Sequence, residues 1–335
     1  MYVDKIGIIG AGAWGTALAQ AVASKIHNTV VWAYEEEVAN NINFQHSNPD
    51  YLPGIKLNPR IRATTDIKEA ATSDVVLMVT PAQFMRSVSE SIAPVLGPLA
   101  PVVICSKGIE RETGKLMTEI ASDTLSDHPI AILSGPTFAE EVALGLPTAV
   151  TLATQDKIIG RTLIDAIGTK AFRPYLSRDI IGAEIGGAVK NVLAIACGIA
   201  DGKRFGNNGR AALITRGLAE MTRLCAAKGG QVQTMMGLSG IGDLTLTCTS
   251  TQSRNYSLGM ELGKGRKLDD IMAGKRSVVE GVFSAAAVTA LASKLKIDMP
   301  ISSGVNAIVN QEEPVEKIIS ELLSRPFRIE GESLQ

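Results

Sequence analysis

Short apolar runs recur through the first half of the chain and predict β-strands that are covered on both faces. Each run is nearly continuous rather than alternating with polar residues, which is typical of a parallel sheet carrying helices on either side. Five runs predict strands: Lys5–Gly10, Thr29–Ala33, Asp74–Thr80, Val102–Ser106 and Ile130–Ser134. Two further runs, Ala149–Ala153 and Phe172–Leu176, are candidates to extend the same sheet.

Helical patterns separate most of these strands, as in Ala13–Ser24, where apolar residues recur every three or four positions. Alternation of helices with buried strands predicts a doubly wound α/β sheet. After about residue 180 the strand signals fade, and four helices are predicted at Ile180–Ala200, Ala211–Lys228, Val282–Lys294 and Val315–Ser324. We therefore expect a sheet domain at residues 1–180 and an all-helical domain at residues 181–335, sharing a large interface.

Composition excludes disorder for most of the chain and argues against nucleic-acid binding. Hydrophobic residues make up 45% of the 335 residues, and 33 basic against 34 acidic side chains give a net charge of −1. A protein that coats nucleic acid is normally basic. Four cysteines without a CxxC pair or zinc-ligand spacing are typical of reduced thiols. Without a leader-like N-terminus or an apolar run of ~18 residues, we expect a cytoplasmic protein with no membrane insertion and no metal.

A glycine-rich turn follows the first predicted strand and opens the first helix. Residues 10–15 read Gly-Ala-Gly-Ala-Trp-Gly, the G-x-G-x-x-G pattern of dinucleotide-binding proteins. Gly10 permits the tight turn, Gly12 lets a pyrophosphate approach the backbone, and Gly15 lets the helix pack closely on the sheet. The free N–H groups and dipole of the helix start then attract the anion. The turn therefore predicts a Rossmann-type domain that binds NAD or NADP.

The end of the second strand bears on the choice between the two cofactors. An acid there binds the ribose 2′-hydroxyl, whereas an arginine accommodates a 2′-phosphate. This chain reads Ala33-Tyr34-Glu35-Glu36-Glu37, with no base. The acids equally suit the N-terminus of the next helix, so both interpretations stay open. The physical argument alone favours NAD slightly.

Two lysines stand where a positive charge is otherwise hard to explain. Reduction of a ketone by hydride requires a group that protonates or stabilises the developing alkoxide. Lys107 follows a predicted strand at the edge where active sites form, and Lys190 lies inside the most apolar helix. Burial would lower the pKa of such a lysine toward working pH. The alternative for each is a side chain whose ammonium reaches water.

Polar groups suited to an anion follow in two places. Gly135 lies in a strand-to-helix turn, and Thr137 with Glu140 forms a T-x-x-E pattern that predicts a helix cap. A polar loop is predicted at Thr247–Tyr256, where Arg254 stands between Ser253 and Asn255 and suits a phosphate ester. Before that loop, Asp243 can accept from substrate hydroxyls or orient a lysine. A plain cap and a solvated loop remain the alternatives.

Six segments together resemble the bacterial NAD(P)-dependent glycerol-3-phosphate dehydrogenases. They are GAGAWGTALA at 10–19, SKGIE at 106–110, SGPTFAEEV at 134–142, KNVLAIACGIADG at 190–202, GLSGIGDLTLTC at 237–248 and SRNY at 253–256. The resemblance covers nearly the whole chain, and only the glycine turn is shared with many other enzymes. It implies reversible reduction of dihydroxyacetone phosphate to sn-glycerol 3-phosphate for phospholipid synthesis. It also implies a Rossmann domain, a helical C-terminal domain and a cytoplasmic homodimer.

The resemblance also implies roles for single residues. Lys190 would be the proton acceptor in oxidation and the donor in reduction, and Lys107 would contact both cofactor and substrate. With the two lysines, the substrate site would comprise Gly135, Thr137, Asp243, Ser253, Arg254 and Asn255. With the glycine turn and Lys107, the cofactor site would comprise Ala13, Trp14, Tyr34, Tyr51, Ala139, Arg254, Val278 and Glu280. Relatives usually place His or Arg at position 34, so Tyr34 puts a preference for NADP in doubt.

Two other functions remain open from the residues alone. A related Rossmann reductase acting on a small hydroxy acid would use Arg254 for a carboxylate and show little activity on triose phosphates. A dinucleotide-sensing regulator would bind NADH without turnover and would leave Lys190 in its apolar helix unexplained.

Overall fold

The computed structural model describes residues 2–273 and 279–327 and contains an eight-stranded sheet. The strands are β1 (Lys5–Ile9), β2 (Asn28–Trp32), β3 (Ile61–Thr64), β4 (Val75–Met78), β5 (Val102–Ile104), β6 (Ile130–Ser134), β7 (Thr148–Ala153) and β8 (Phe172–Ser177). Their order is β3-β2-β1-β4-β5-β6-β7-β8. Every neighbouring pair is parallel except β6 and β7, which run antiparallel. The five predicted strands and the two candidate extensions all belong to this sheet.

Helices cover both faces of the sheet and explain why the strands read as continuous apolar runs. The helices of this half are α1 (Ala13–Ala23), α2 (Glu36–Asn40), α3 (Ile67–Ala71), α4 (Met85–Ile92), α5 (Met117–Thr124), α6 (Ala139–Ala143) and α7 (Lys157–Ile167). In β4, Val75 and Leu77 face one hydrophobic core, whereas Val76 and Met78 face the other. The doubly wound α/β prediction is confirmed.

Two features of the sheet differ from the predicted pattern. Strand β3 escaped prediction because it is a four-residue edge strand in which Arg62 is exposed and interrupts the apolar residues. Strand β7 runs against β6 because the short segment between them, which contains only the five-residue α6, returns the chain without a crossover.

The second half of the chain is helical around one buried helix. Its helices are α8 (Ile180–Gly202), α9 (Gly206–Ala227), α10 (Asp243–Cys248), α11 (Arg254–Gly263), α12 (Leu268–Met272), α13 (Glu280–Leu295), α14 (Pro300–Asn310) and α15 (Val315–Leu323). Glycines let α8 touch its neighbours. A Cβ on Gly198 would lie 2.1 Å from the Tyr256 carbonyl oxygen of α11, and one on Gly186 would lie 1.9 Å from that of Ser239. Among the described residues, α8 alone is long and apolar enough to cross a membrane. Of the 18-residue stretch of α8 that meets this criterion, 83% is buried inside the fold.

Helices α10, α11, α12 and α14 are not among the predicted helices, and the predicted polar loop at residues 247–256 is confirmed only for its middle five residues. The chain is helical up to Cys248 and again from Arg254, so only five residues separate α10 from α11. The polar letters Ser-Arg-Asn-Tyr conceal a helix start, because Ser253 caps α11 by accepting the Tyr256 N–H at 3.2 Å.

The two halves meet in a packed junction. Strand β8 ends at Ser177 and α8 begins at Ile180, with Asp179 accepting the Gly182 N–H at 3.0 Å as its cap. Ala183 of α8 belongs to the same hydrophobic core as Ile132 of β6. The expected interface is therefore present, and the division between residues 180 and 181 stays a prediction. All four cysteines are buried and form no disulfide bond, and no metal-binding cluster of His, Cys, Asp or Glu occurs within residues 2–273 and 279–327.

Candidate active site

The glycine turn lies at the carboxyl edge of the sheet with the geometry that a dinucleotide requires. Gly10 has a φ of +121°, which L side chains rarely adopt, and a Cβ on Gly15 would lie 1.8 Å from the Gly10 carbonyl oxygen. A Cβ on Gly12 would meet nothing within 4 Å, so the turn is open on that side. No side chain caps the N-terminus of α1, which leaves its N–H groups facing the opening. These residues fit a pyrophosphate.

A buried asparagine that the sequence did not reveal fixes this turn. Asn48 is fully buried, and its Nδ2 donates to the Ala11 carbonyl and to Thr16 Oγ1, both at 2.8 Å. Thr16 in turn donates to the Ala11 carbonyl at 3.2 Å. These bonds fix the position of the Ala11 carbonyl within the turn. No local motif marks Asn48, which lies 37 residues from Ala11.

The other expected cofactor residues differ in their contacts and exposure. Trp14 packs on Phe172, with ring centroids 6.4 Å apart, and its buried Nε1 has no partner among the described residues. Such an orphaned donor is available to a polar ligand. Ala139 begins α6, which packs against α1. Tyr34 is 82% exposed. Val278 lies outside the described residues.

Asp243, at the start of α10, joins the two lysines. Its side chain is fully buried, and each carboxylate oxygen accepts from a different ammonium. Lys190 Nζ is 2.6 Å from Oδ1, and Lys107 Nζ is 2.8 Å from Oδ2. Lys107 comes from the sheet half, whereas Lys190 and Asp243 come from the helical half. Of the two roles open for Asp243, the structure therefore places it in contact with lysines.

Burial determines the solvent exposure and the pKa of the Lys190 ammonium. Its side chain is only 8% exposed, which rules out an ammonium in bulk water. Desolvation lowers the pKa of Lys190 to about 8, and the positive charge of Lys107 acts in the same direction, while Asp243 opposes both. A lysine with this pKa is present in both protonation states near neutral pH.

Thr247 is a further contact of Lys190, and the sequence pattern does not reveal it. Its Oγ1 accepts from Lys190 Nζ at 2.9 Å and donates to the Asp243 carbonyl at 2.6 Å. The four-residue spacing from Asp243 places both side chains on one face of α10. The sequence hides that signal, because its polar pattern predicts a loop at residue 247.

The turn after β6 contains Gly135 and Thr137. Gly135 has a φ of +155°, and a Cβ there would lie 2.9 Å from Cα of Val150. Its carbonyl accepts from Lys107 Nζ at 3.3 Å and from Thr137 Oγ1 at 3.4 Å. The predicted cap formed by Thr137 and Glu140 is wrong. Helix α6 starts at Ala139 with Phe138 as its N-cap residue, and Thr137 donates to the Gly135 carbonyl instead.

The start of α11 brings the Ser-Arg-Asn sequence to the helical side of the site. Arg254 is exposed in the first turn of α11. Asn255 is buried, donates from Nδ2 to Asn191 Oδ1 at 3.0 Å and accepts the Gly281 N–H at 3.0 Å. It therefore ties α11 to α8 and α13, and Asn191, directly after Lys190, is a further residue that sequence reasoning missed.

Glu280, the first residue of α13, shares an electrostatic environment with the cations of the site. Burial raises the pKa of its carboxyl, and the charges of Arg254, Lys107 and Lys190 counteract that rise. Lys107, Lys190 and Arg254 thus act together on Glu280, although they come from distant parts of the sequence.

Comparison with known proteins gives the same assignment over nearly the whole chain. The family models for the N-terminus and the C-terminus of NAD-dependent glycerol-3-phosphate dehydrogenase match residues 5–159 and 179–320. Glycerol-3-phosphate dehydrogenase [NAD(P)+] of Parvibaculum lavamentivorans is 56% identical, covering 97% of this chain and 98% of the relative. That of Rhodospirillum rubrum is 53% identical, with 99% and 95% covered. The crystal structure of glycerol-3-phosphate dehydrogenase from Coxiella burnetii aligns with a TM-score of 0.93 at 38% identity, covering 96% of this chain and 99% of that one. The chain belongs to the NAD-dependent glycerol-3-phosphate dehydrogenase family.

Proposed function

We propose that this protein catalyses the reversible NAD(P)H-dependent reduction of dihydroxyacetone phosphate to sn-glycerol 3-phosphate. The observation that carries the proposal is the buried Lys190, hydrogen-bonded to Asp243. Asp243 also binds Lys107, which follows β5 at the same edge of the sheet as the open glycine turn after β1. Membership of the family supports the same reaction. When bound, the reduced nicotinamide supplies a hydride to the carbonyl carbon of the substrate.

Lys190 supplies the proton that balances this hydride. Its ammonium donates to the carbonyl oxygen in reduction, and its neutral amine accepts the hydroxyl proton in oxidation. A pKa of about 8 suits both directions, because each protonation state is populated near neutral pH. Asp243 and Thr247 hold the amine in one place, so that little reorganisation is needed at the moment of transfer.

Lys107 provides a second positive charge at the reacting oxygen. Its contact with the Gly135 carbonyl and with Asp243 fixes its ammonium between the sheet edge and the helical half. We infer that it stabilises the developing alkoxide and contacts both cofactor and substrate.

Arg254 is the proposed anchor of the phosphate. Its guanidinium is exposed at the N-terminus of α11, where the helix dipole also favours an anion. Gly135, Thr137, Ser253 and Asn255 would complete the substrate site. Trp14, Tyr34, Tyr51, Ala139, Val278 and Glu280 would line the cofactor.

The setting of the reaction follows from the product. Glycerol 3-phosphate is the backbone of glycerophospholipids, and we assign the enzyme to their synthesis. We also infer a cytoplasmic homodimer, on the family resemblance.

The test mixes the full-length protein with dihydroxyacetone phosphate and either NADH or NADPH and follows absorbance of the reduced nicotinamide. We expect oxidation with at least one cofactor and little with a 2-oxo acid of similar size. Turnover only with the 2-oxo acid would identify a hydroxy-acid reductase. Cofactor binding without turnover of either substrate would identify a sensor and reject the proposal.

A further inference from the structure

Lys107 lies on the connection between β5 and α5, outside both elements. It follows the last residue of β5 by three positions, and α5 begins only at Met117. Lysine has a flexible four-carbon stem, so its ammonium can reach many acceptors unless the backbone beside it is fixed. The contacts of this ammonium with the Gly135 carbonyl and Asp243 therefore depend on what holds the connection.

A glutamine from the turn between β4 and α4 holds the backbone just beyond Lys107. Gln83 Nε2 donates to the Ile109 carbonyl at 2.9 Å, and Gln83 Oε1 accepts the Arg111 N–H at 3.0 Å. One side-chain amide thus binds the chain on both sides of Glu110. These bonds attach the connection to the segment that follows β4.

The side chain of Glu110 adds a charged attachment at the centre of this contact. Glu110 is buried, and its two carboxylate oxygens accept from Nε and Nη2 of Arg86, both at 2.9 Å. Arg86 lies in the first turn of α4, and its Nη1 donates to Asp123 Oδ2 of α5 at 3.1 Å. A two-bond contact between a guanidinium and a carboxylate fixes direction as well as distance. Hydrogen bonding to Arg86 also holds the pKa of Glu110 below its usual range, so the carboxylate stays ionised at neutral pH.

Resting on the proposed function, we propose that Glu110 is a positioning residue for Lys107. Through Arg86 it fastens the connection after β5 to α4 and thereby keeps the Lys107 ammonium on Asp243 Oδ2. The carboxylate is occupied by Arg86 and by the Thr113 hydroxyl, so it acts through the backbone rather than on the substrate.

Displacement of Lys107 would change the chemistry of Lys190 in a way that general loosening of the fold would not. Desolvation lowers the pKa of Lys190, and the positive charge of Lys107 adds to that effect, while Asp243 opposes it. Glu280 also interacts with Lys190. If Lys107 moves away while Asp243 and Glu280 stay, the pKa of Lys190 rises, and kcat for reduction declines at a higher pH. The developing alkoxide also loses a nearby cation, so the plateau of kcat falls.

The experiment measures kcat for dihydroxyacetone phosphate at saturating NADH across a range of pH, in the full-length protein and in Glu110→Gln. The substitution keeps the shape of the side chain and weakens the contact with Arg86. We expect kcat at neutral pH to fall on the order of tenfold, less than the ~10²-fold expected for complete loss of a stabilising donor. The alkaline decline should move up by roughly half a pH unit or more. Arg86→Lys keeps the charge without the fork and should act in the same direction, which provides a second variant if Glu110→Gln does not fold.

Glu112→Gln is the matched control, because it removes the same charge from an exposed position of the same connection. It should leave kcat and the pH profile unchanged, and equal effects of Glu112→Gln and Glu110→Gln would overturn the proposal. In a Lys107→Met background Glu110→Gln should change kcat by less than about twofold, because the group that it positions is gone. A further tenfold loss in that background would show a general effect on the fold and would also overturn the proposal.

A crystal structure of Glu110→Gln separates this inference from the proposed function. We expect Lys107 Nζ to lie beyond hydrogen-bond distance of Asp243 Oδ2, and an unmoved Lys107 would overturn the inference. Failure of the unmodified protein to reduce dihydroxyacetone phosphate would reject the proposed function, whereas displacement of Lys107 in the crystal would still support its positioning by Glu110.

Discussion

Asp243→Asn tests the proton-transfer assignment most directly. The substitution keeps the shape of the side chain and removes the negative charge between two ammonium groups that lie 2.6 and 2.8 Å from it. Two unit charges 4 Å apart interact by about 4 kcal/mol at an effective dielectric constant of 20. One pKa unit corresponds to about 1.36 kcal/mol. We therefore expect the pKa of Lys190, already lowered to about 8, to fall by a further one to three units, roughly.

The assay is the pH dependence of kcat for dihydroxyacetone phosphate reduction at saturating NADH. Reduction requires the ammonium form of Lys190, so kcat falls as the pH rises through its pKa. The unmodified enzyme should lose activity around pH 8. In Asp243→Asn the same loss should begin at least one pH unit lower, roughly, and the smaller ammonium fraction should lower the rate at pH 7 by about 2-fold to 100-fold.

Asp269→Asn serves as the control, because Asp269 is exposed in the first turn of α12 and no described contact joins it to the lysines. It should leave the profile unchanged. A folded Asp243→Asn protein, verified by circular dichroism, whose kcat declines at the same pH as the unmodified enzyme would refute the assigned coupling.

Three further predictions use the same structure. Lys190→Ala should lower kcat by ~10²-fold or more, as expected for loss of a general acid; a near-normal rate would remove Lys190 from the mechanism. Arg254→Ala should raise KM for dihydroxyacetone phosphate by on the order of tenfold or more, with a smaller effect on kcat, because a charged hydrogen bond contributes about 1.5–3 kcal/mol; an unchanged KM would contradict its assignment as the anchor. Burial raises the pKa of Glu184 to about 7 from 4.5, so the folded state binds a proton that the unfolded state releases, and stability is lost as the pH rises through that range. Glu184→Gln should therefore exceed the unmodified protein in free energy of unfolding by up to about 3 kcal/mol at pH 8, and by less at pH 5, in urea titrations. The exposed Glu112→Gln should show no such pH dependence.

The sheet could be predicted from the sequence because its central strands are buried on both faces and read as apolar runs. β3 could not, since an edge strand that exposes Arg62 lacks that signal. The lysines were found for a related reason: an ammonium inside an apolar helix, or directly after a buried strand, is out of place unless it has a function.

Contacts between residues that are far apart in the sequence could not be predicted from the sequence alone. Lys107 and Asp243 are 136 residues apart, and their shared contact appears only when the helical half docks on the sheet. Asn48 and Asn191 were missed because buried amides follow no periodic pattern. The T-x-x-E pattern fits a helix start and predicts a cap at Thr137, yet the helix begins one residue later, with Phe138 as its N-cap residue, after the tight bend at Gly135.

Because Lys107 belongs to the sheet half, its effect on the pKa of Lys190 depends on contact between the two halves of the protein. A hinge movement at residues 178–179 would carry Lys107 away from Asp243 and leave the Lys190–Asp243 pair intact, because both members of that pair ride on the helical half. Withdrawal of Lys107 removes a charge that lowers the pKa of Lys190. The pKa of Lys190 would thus be higher in an opened molecule. Closure over the ligands would lower that pKa and so favour transfer of the proton.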